Sequence, residues 1–223
     1  MNNYKNQLNT ILKGIKDLLS IVVDGPKGII RQEILSDKIY SLIKRYTNLN
    51  RLLDNTKNIW LGSDWHLWNI GTYENDFKAQ LIANQKRLVK PSDVFIYLGD
   101  FAHRKSEYPN LPIKIAKVIQ AMPGKKVMVL GNHDIFDSKF YLDNGFDFVN
   151  DGFIWQDMVF THKPVDVKRF DNIKYNIHGH THDWDYNYKD DPTHIVVYSR
   201  YFKNEPIKLD ELLAKRETLH NLK

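Results

Sequence analysis

Val94-Phe95-Ile96-Tyr97-Leu98-Gly99-Asp100 is the stretch that decides the fold. Its β-branched and aromatic residues suit a strand, and the strand ends abruptly in glycine and aspartate. The same form stands on either side of it, as Trp60-Leu61-Gly62-Ser63-Asp64-Trp65-His66 and as Val129-Leu130-Gly131-Asn132-His133-Asp134. Between these runs lie helical stretches. Residues 74 to 90 carry Phe77, Leu81 and Leu88 down one face before Pro91, and Pro112 opens a second stretch that Pro123-Gly124 closes ahead of a strand over residues 127 to 130. Short strands separated by helices predict an α/β protein. In open α/β sheets ligands bind outside the carboxyl ends of the strands, and a glycine there permits a tight turn and close backbone approach.

The second half is richer in strand, with residues 153 to 160, 173 to 177 and 195 to 202 all suited to sheet. Two of its runs repeat the pattern: Val159-Phe160-Thr161-His162, and Asn176-Ile177-His178-Gly179-His180-Thr181-His182. Five strand ends thus point carboxylates, an amide and imidazoles toward one place. A single aspartate at a strand end is most often a helix cap or turn residue, and a single histidine most often structural. The ordered set carries the chemistry.

That set, spanning residues 64 to 182, resembles the calcineurin-like metallophosphoesterase superfamily, whose blocks read D-x-H, G-D, G-N-H-D or G-N-H-E, a lone H, and G-H-x-H. Gly99-Asp100-Phe101-Ala102 looks most like small bacterial and phage members. The resemblance implies a β-sandwich flanked by helices and two divalent cations, with Asp100 as the bridge. Asp64, His66 and His182 would complete one cation site, and Asn132, His162 and His180 the other. Two cations roughly 3.5 to 4 Å apart repel, so a bridging carboxylate is physically needed. Mixed oxygen and imidazole donors suit manganese first, then iron, cobalt or zinc, and argue against calcium.

The resemblance further implies hydrolysis of a phosphate ester by a hydroxide bridging the cations, with His133 facing the leaving-group oxygen. Asp134 is expected either to accept from the other ring nitrogen of His133 and fix its tautomer or simply to cap the following turn. Where many relatives read G-D-x-x-D-R, this chain has His103 before Arg104, which unsettles any role for that arginine. Trp65, Trp68 and the aromatics of residues 183 to 191 could stack a nucleobase, or simply hold their own loop. They favour a small phosphodiester or nucleotide over a phosphomonoester. Lys163 is a further candidate phosphate contact, whereas His178, His194 and His220 read as structural or exposed. A nuclease is the rival reading, and a non-catalytic scaffold of the same fold a more distant one.

At 223 residues the chain has room for one sizeable domain and a short appendage. It has no cysteine, which excludes disulfides, thiolate metal sites and a cysteine nucleophile. Residues 1 to 57 hold ten Lys/Arg against five acids, and so account for the whole net charge of +5. Apolar residues at spacings of three and four predict two helices there, a basic hairpin suited to packing on the main domain (58–223) or to contact with a second copy of the chain. Nucleic acid along this basic segment is conceivable but not favoured, because no basic cluster is dense. Apolar runs of about five residues fall far below the ~20 of a spanning helix. With no signal peptide apparent, the expected setting is the cytoplasm, away from membranes.

Overall fold

The computed structural model describes residues 41, 43–68, 74–103, 110–182, 191 and 193–221, with the side chains of 74–76 and 217–221 outside that description. The first helix of the expected hairpin, Arg104, residues 183–190 and the side chain of His220 lie outside the described residues. The chain divides into two compact units, Met1–Leu49 and Asn50–Lys223. In the first, the described residues are helical. The division falls at 49/50 rather than at the 57/58 read from the sequence, and residues 50–57 belong with the body. There Asp54 Oδ1 accepts from Trp155 Nε1 (2.9 Å), and Thr56 Oγ1 reaches Asn58 O (3.1 Å).

Two sheets build the body. The first runs β4 (Phe148–Asn150), β3 (Lys125–Val129), β2 (Val94–Leu98), β1 (Ile59–Gly62), β9 (Ile207–Lys208), parallel except for the antiparallel β9. The helices Glu74–Leu88, Leu111–Ala121 and Ser138–Asp143 are the crossovers between its parallel strands. β2 is buried at all five positions, as a central parallel strand must be. The second sheet runs β5 (Gly152–Trp155), β6 (Met158–Thr161), β7 (Tyr175–His178), β8 (His194–Val196), with only β5 antiparallel to its neighbour. Phe148 of β4 and Phe153 of β5 meet edge to face at 5.8 Å between ring centroids. Mixed α/β with two sheets and flanking helices is the architecture expected from the sequence.

Two long strands of that expectation break. Residues 153 to 160 fold as a hairpin, with Trp155 paired to Met158 across Gln156-Asp157 and Gln156 left-handed at φ 56°. Gln-Asp is not the Asn-Gly or Asp-Gly signature that marks such turns. The strand over residues 195 to 202 stops at Val196, and Ser199–Phe202 coil into a 3₁₀ helix.

Asp93, at the entry to β2, fastens the amino-terminal edge of the sheet. Only 1% exposed, it accepts from Asn58 Nδ2 (2.9 Å), Trp60 Nε1 (2.9 Å) and Lys90 N (3.0 Å). Burial pushes its carboxyl upward, but these hydrogen bonds outweigh it and hold it below the usual value. The stabilisation is therefore full above the unfolded value of about 3.9 and is lost as pH falls through the lower folded value. Asp93→Ala, which strands the indole N–H, should cost about 2–4 kcal/mol by urea titration at pH 7. The gap to wild type should close toward pH 2, and an unchanged gap at low pH would remove the carboxylate from this account.

Candidate active site

Past the last ladder pair of β1 and β2 the two chains go on pairing. Asp64 N donates to Gly99 O (3.1 Å), His66 N to Asp100 O (2.9 Å) and Leu67 N to Phe101 O (3.0 Å), and Leu67 bridges Ala102. The loops carrying Asp64, His66 and Asp100 thus extend the sheet. To leave that extension, Asp64 (φ 56°), His66 (φ 43°) and Asp100 (φ 55°) take the left-handed backbone region, as do His180 (φ 70°) and His182 (φ 54°). Each such residue costs about 1–2 kcal/mol relative to ordinary backbone. Gly99, at φ 89°, leaves room for His162, whose ring a Cβ at that position would strike.

Each carboxylate has one oxygen tied down and one turned to imidazoles. Asp64 Oδ2 accepts from Ser63 Oγ (2.5 Å) and His180 N (3.0 Å), leaving Oδ1 beside His182 Nε2 (3.1 Å) and His66 Nε2 (3.9 Å). Asp100 Oδ1 accepts from His133 N (2.8 Å), leaving Oδ2 between His162 Nε2 (3.4 Å) and His66 Nε2 (3.6 Å). Donor atoms of Asp64, His66 and His182 lie within 4.8 Å of one another, and so do those of Asp100, His162 and His180. Asn132 Oδ1 stands 3.1 Å from His162 Nε2. All seven residues expected as ligands are thereby brought together.

The protons of His162 tell what this arrangement is for. Its Nδ1 lies 2.8 Å from Leu98 O and must donate to it, so the Nε2 of the neutral ring carries a lone pair. That lone pair faces the oxygens of Asp100 and Asn132 and, at 3.2 Å, His180 Nδ1. On the other side His66 Nε2 and His182 Nε2 face each other at 3.2 Å. At His162 the acceptors Asp100 Oδ2, Asn132 Oδ1 and Nε2 face one another, which a cation reconciles, and the donor sets fit one in each group. The charges agree. Burial drives His66 down to about 4, and for Asp100, although burial opposes it, contacts with His162, His133 N and His66 bring the carboxyl to about 2. Burial, His162 and Lys163 also lower His180, while for His162 the nearby Asp100 overcomes burial and raises it.

Asp134 is placed differently from expectation. Its carboxylate accepts from Asp100 N (2.8 Å), Gly131 N (2.8 Å), Phe101 N (3.0 Å) and Ala102 N (3.4 Å), with Tyr141 OH at 3.4 Å. It is a knot tying the loop after β3 to the loop after β2, and burial pushes it up to about 6. His133 Nδ1 is buried without a hydrogen-bond partner among the described residues. The His133 ring stacks instead on His103 (4.8 Å, 21°) and meets the edge of His66 at 5.0 Å. Asp134→Ala leaves several loop amides unpaired, each worth roughly 1–3 kcal/mol if kept from water. It should therefore lower the melting temperature markedly even without cations present. A variant as stable as wild type would refute the knot.

Other expectations resolve one by one. Trp65 is core rather than platform, 2% exposed and stacked on Phe101 at 5.6 Å. His178 is wholly buried, its Nδ1 bonded to Gly179 O (2.8 Å), and His194 packs against it at 5.3 Å. Lys163 is exposed. A cavity of about 300 Å³ opens beside Asp64, His66 and His182, walled by Trp65, Phe77, His103, Tyr198 and Arg200. Nothing in the sequence flagged Phe77, Tyr198 or Arg200. Phe77 fits an ordinary apolar helix face, and the other two fell in the supposed strand.

The profile of calcineurin-like phosphoesterases matches residues 57–217, and the chain belongs to that family. Among curated proteins none matches. Of solved structures, a protein of unknown function from Aquifex aeolicus is 22% identical with a TM-score of 0.55, covering 70% of this chain and 97% of that one. The Pseudomonas putida nuclease MPE is 22% identical with a TM-score of 0.44, covering 56% and 61%. A novel archaeal phosphodiesterase is 15% identical with a TM-score of 0.42, covering 68% and 98%. Among the described residues no helix is long and apolar enough to cross a membrane.

Proposed function

We propose that this chain hydrolyses a small phosphodiester or nucleotide at two divalent cations, with manganese the first to test. One observation supports it above others: Asp100 Oδ2 faces the imidazole nitrogens of both donor groups, His66 on one side and His162 on the other. Asp64, His66 and His182 would hold one cation, Asn132, His162 and His180 the second, and Asp100 both. Such a pair supplies an ionised water at neutral pH and positive charge for the phosphoryl oxygens.

The chain's own residues do the rest. His133 N holds Asp100 Oδ1, so the other oxygen stays aimed between the groups. The His133 ring stands at the His66 edge, where it donates a proton to the departing oxygen. Asp134 fixes the loop carrying both Asn132 and His133. We assign residues 1–49 a role outside the reaction, in packing or in contact with a second copy of the chain. A panel with added manganese tests the reading: aryl monoester, aryl diester, cyclic nucleotide and single-stranded RNA. The diester or cyclic nucleotide should turn over fastest. Inactivity on all four overturns the reading, and preference for RNA with a steep loss in salt makes the protein a nuclease.

A further inference from the structure

We propose that Arg200 reads a second phosphate, so that the cavity beside Asp64, His66 and His182 selects a nucleotide carrying a phosphate one sugar away from the ester cleaved. The proposal rests on the phosphodiester reading above and adds the substrate class. Arg200 lines the cavity together with Asp64, His66 and His182, and its guanidinium carbon sits 4.5 Å over the centre of the Phe77 ring. The side chain is exposed, and among the described residues no carboxylate lies within ion-pair distance of it. Arg87, by contrast, is paired with Glu205.

Its setting is rigid on both sides. The 3₁₀ helix that carries Arg200 is anchored to the site through Ser199 Oγ, which donates to Ser63 O (3.3 Å), one residue before Asp64. At its other end Asn204 N bonds Ser199 O (3.0 Å), Asn204 Nδ2 donates to Gln80 Oε1 (2.8 Å), and Asn204 O accepts from Asn84 Nδ2 (2.9 Å). Gln80 and Asn84 lie on Glu74–Leu88, the helix that also carries Phe77. The cation and the ring beneath it are thus held by two elements bonded to each other. This removes much of the side-chain entropy that an exposed arginine loses on binding.

The chemistry of the walls points to phosphate. Phe77 has one face covered by Arg200, and Tyr198 is stacked on His182 at 4.7 Å and 10°, so these rings have faces already occupied. What the cavity presents is a planar fork of N–H donors, which pairs bidentately with phosphate. A volume of about 300 Å³ is at the small end for ligand sites and matches a single nucleotide unit.

The test compares p-nitrophenyl esters of thymidine 3′-phosphate with and without a 5′-phosphate, which share leaving group, sugar and base. Wild type should favour the 5′-phosphorylated ester by about 10- to 100-fold in kcat/KM, the scale of one charge-assisted contact. Arg200→Ala should erase that preference while keeping the other ester within about threefold, and Arg200→Lys, a charge without a fork, should restore only part. The same ratio is read without turnover, as calorimetric affinity for thymidine 3′,5′-bisphosphate against thymidine 3′-phosphate. Inactivity on both esters with an Arg200-dependent binding ratio would overturn the hydrolytic reading and leave the site standing. Equal affinities in wild type, or an undiminished preference in Arg200→Ala, would overturn the site.

Discussion

Asp100→Asn should strip both cation positions at once and lower turnover of an aryl phosphodiester beyond the about 10²–10³ lost with a single transition-state donor. The substitution keeps an oxygen to accept from His133 N and alters the atom that faces His66 and His162. An amide nitrogen there turns two N–H donors toward cations and removes the charge that lets two of them sit close together. The fold should survive, since the Asp134 carboxylate ties the same loops through their backbone N–H groups, which the change leaves alone. Metal content in excess manganese, measured beside a thermal melt, decides it. A folded variant that still holds two manganese ions would refute Asp100 as the shared ligand.

His133→Ala should separate cation binding from chemistry. Its backbone N–H, which holds Asp100, is kept in the variant, and the ring is tied to neither carboxylate by a described hydrogen bond. Both cations should therefore remain while turnover falls by roughly 10² to 10⁴, the range for a positioned general acid. The loss should shrink for a nitrophenol leaving group, whose oxygen bears negative charge without a proton, and stay large for an alkyl alcohol. His180→Ala, by contrast, should lose a cation and activity whatever leaves. Equal slowing of both esters by His133→Ala, or loss of an ion, would make His133 a ligand or a ground-state phosphate contact.

Why the centre of this site was legible and its rim was not follows from where each comes from. Asp64, Asp100 and Asn132 follow buried strands whose composition marks their ends to within a residue or two, so position along the chain translated directly into position in space. Asp134 was legible as a member of the block but not in its contacts. A carboxylate on a single methylene can turn to a ring or to amides, and spacing does not say which. The rim was hidden because Tyr198 and Arg200 depend on a strand stopping at Val196, where Val197 N still bonds His178 O (2.7 Å) before the chain coils. Nothing local in Val-Val-Tyr-Ser-Arg-Tyr-Phe distinguishes that from a longer strand.

The left-handed backbone at Asp64, His66, Asp100, His180 and His182 bears on engineering. A search for hardier variants that rewards melting temperature alone will drift toward glycine or asparagine at these five positions, where either residue relaxes the backbone. Every such gain removes a carboxylate charge or an imidazole from the donor set. Directed evolution of this chain for heat tolerance therefore needs a selection for turnover run alongside, or these five positions locked in the library.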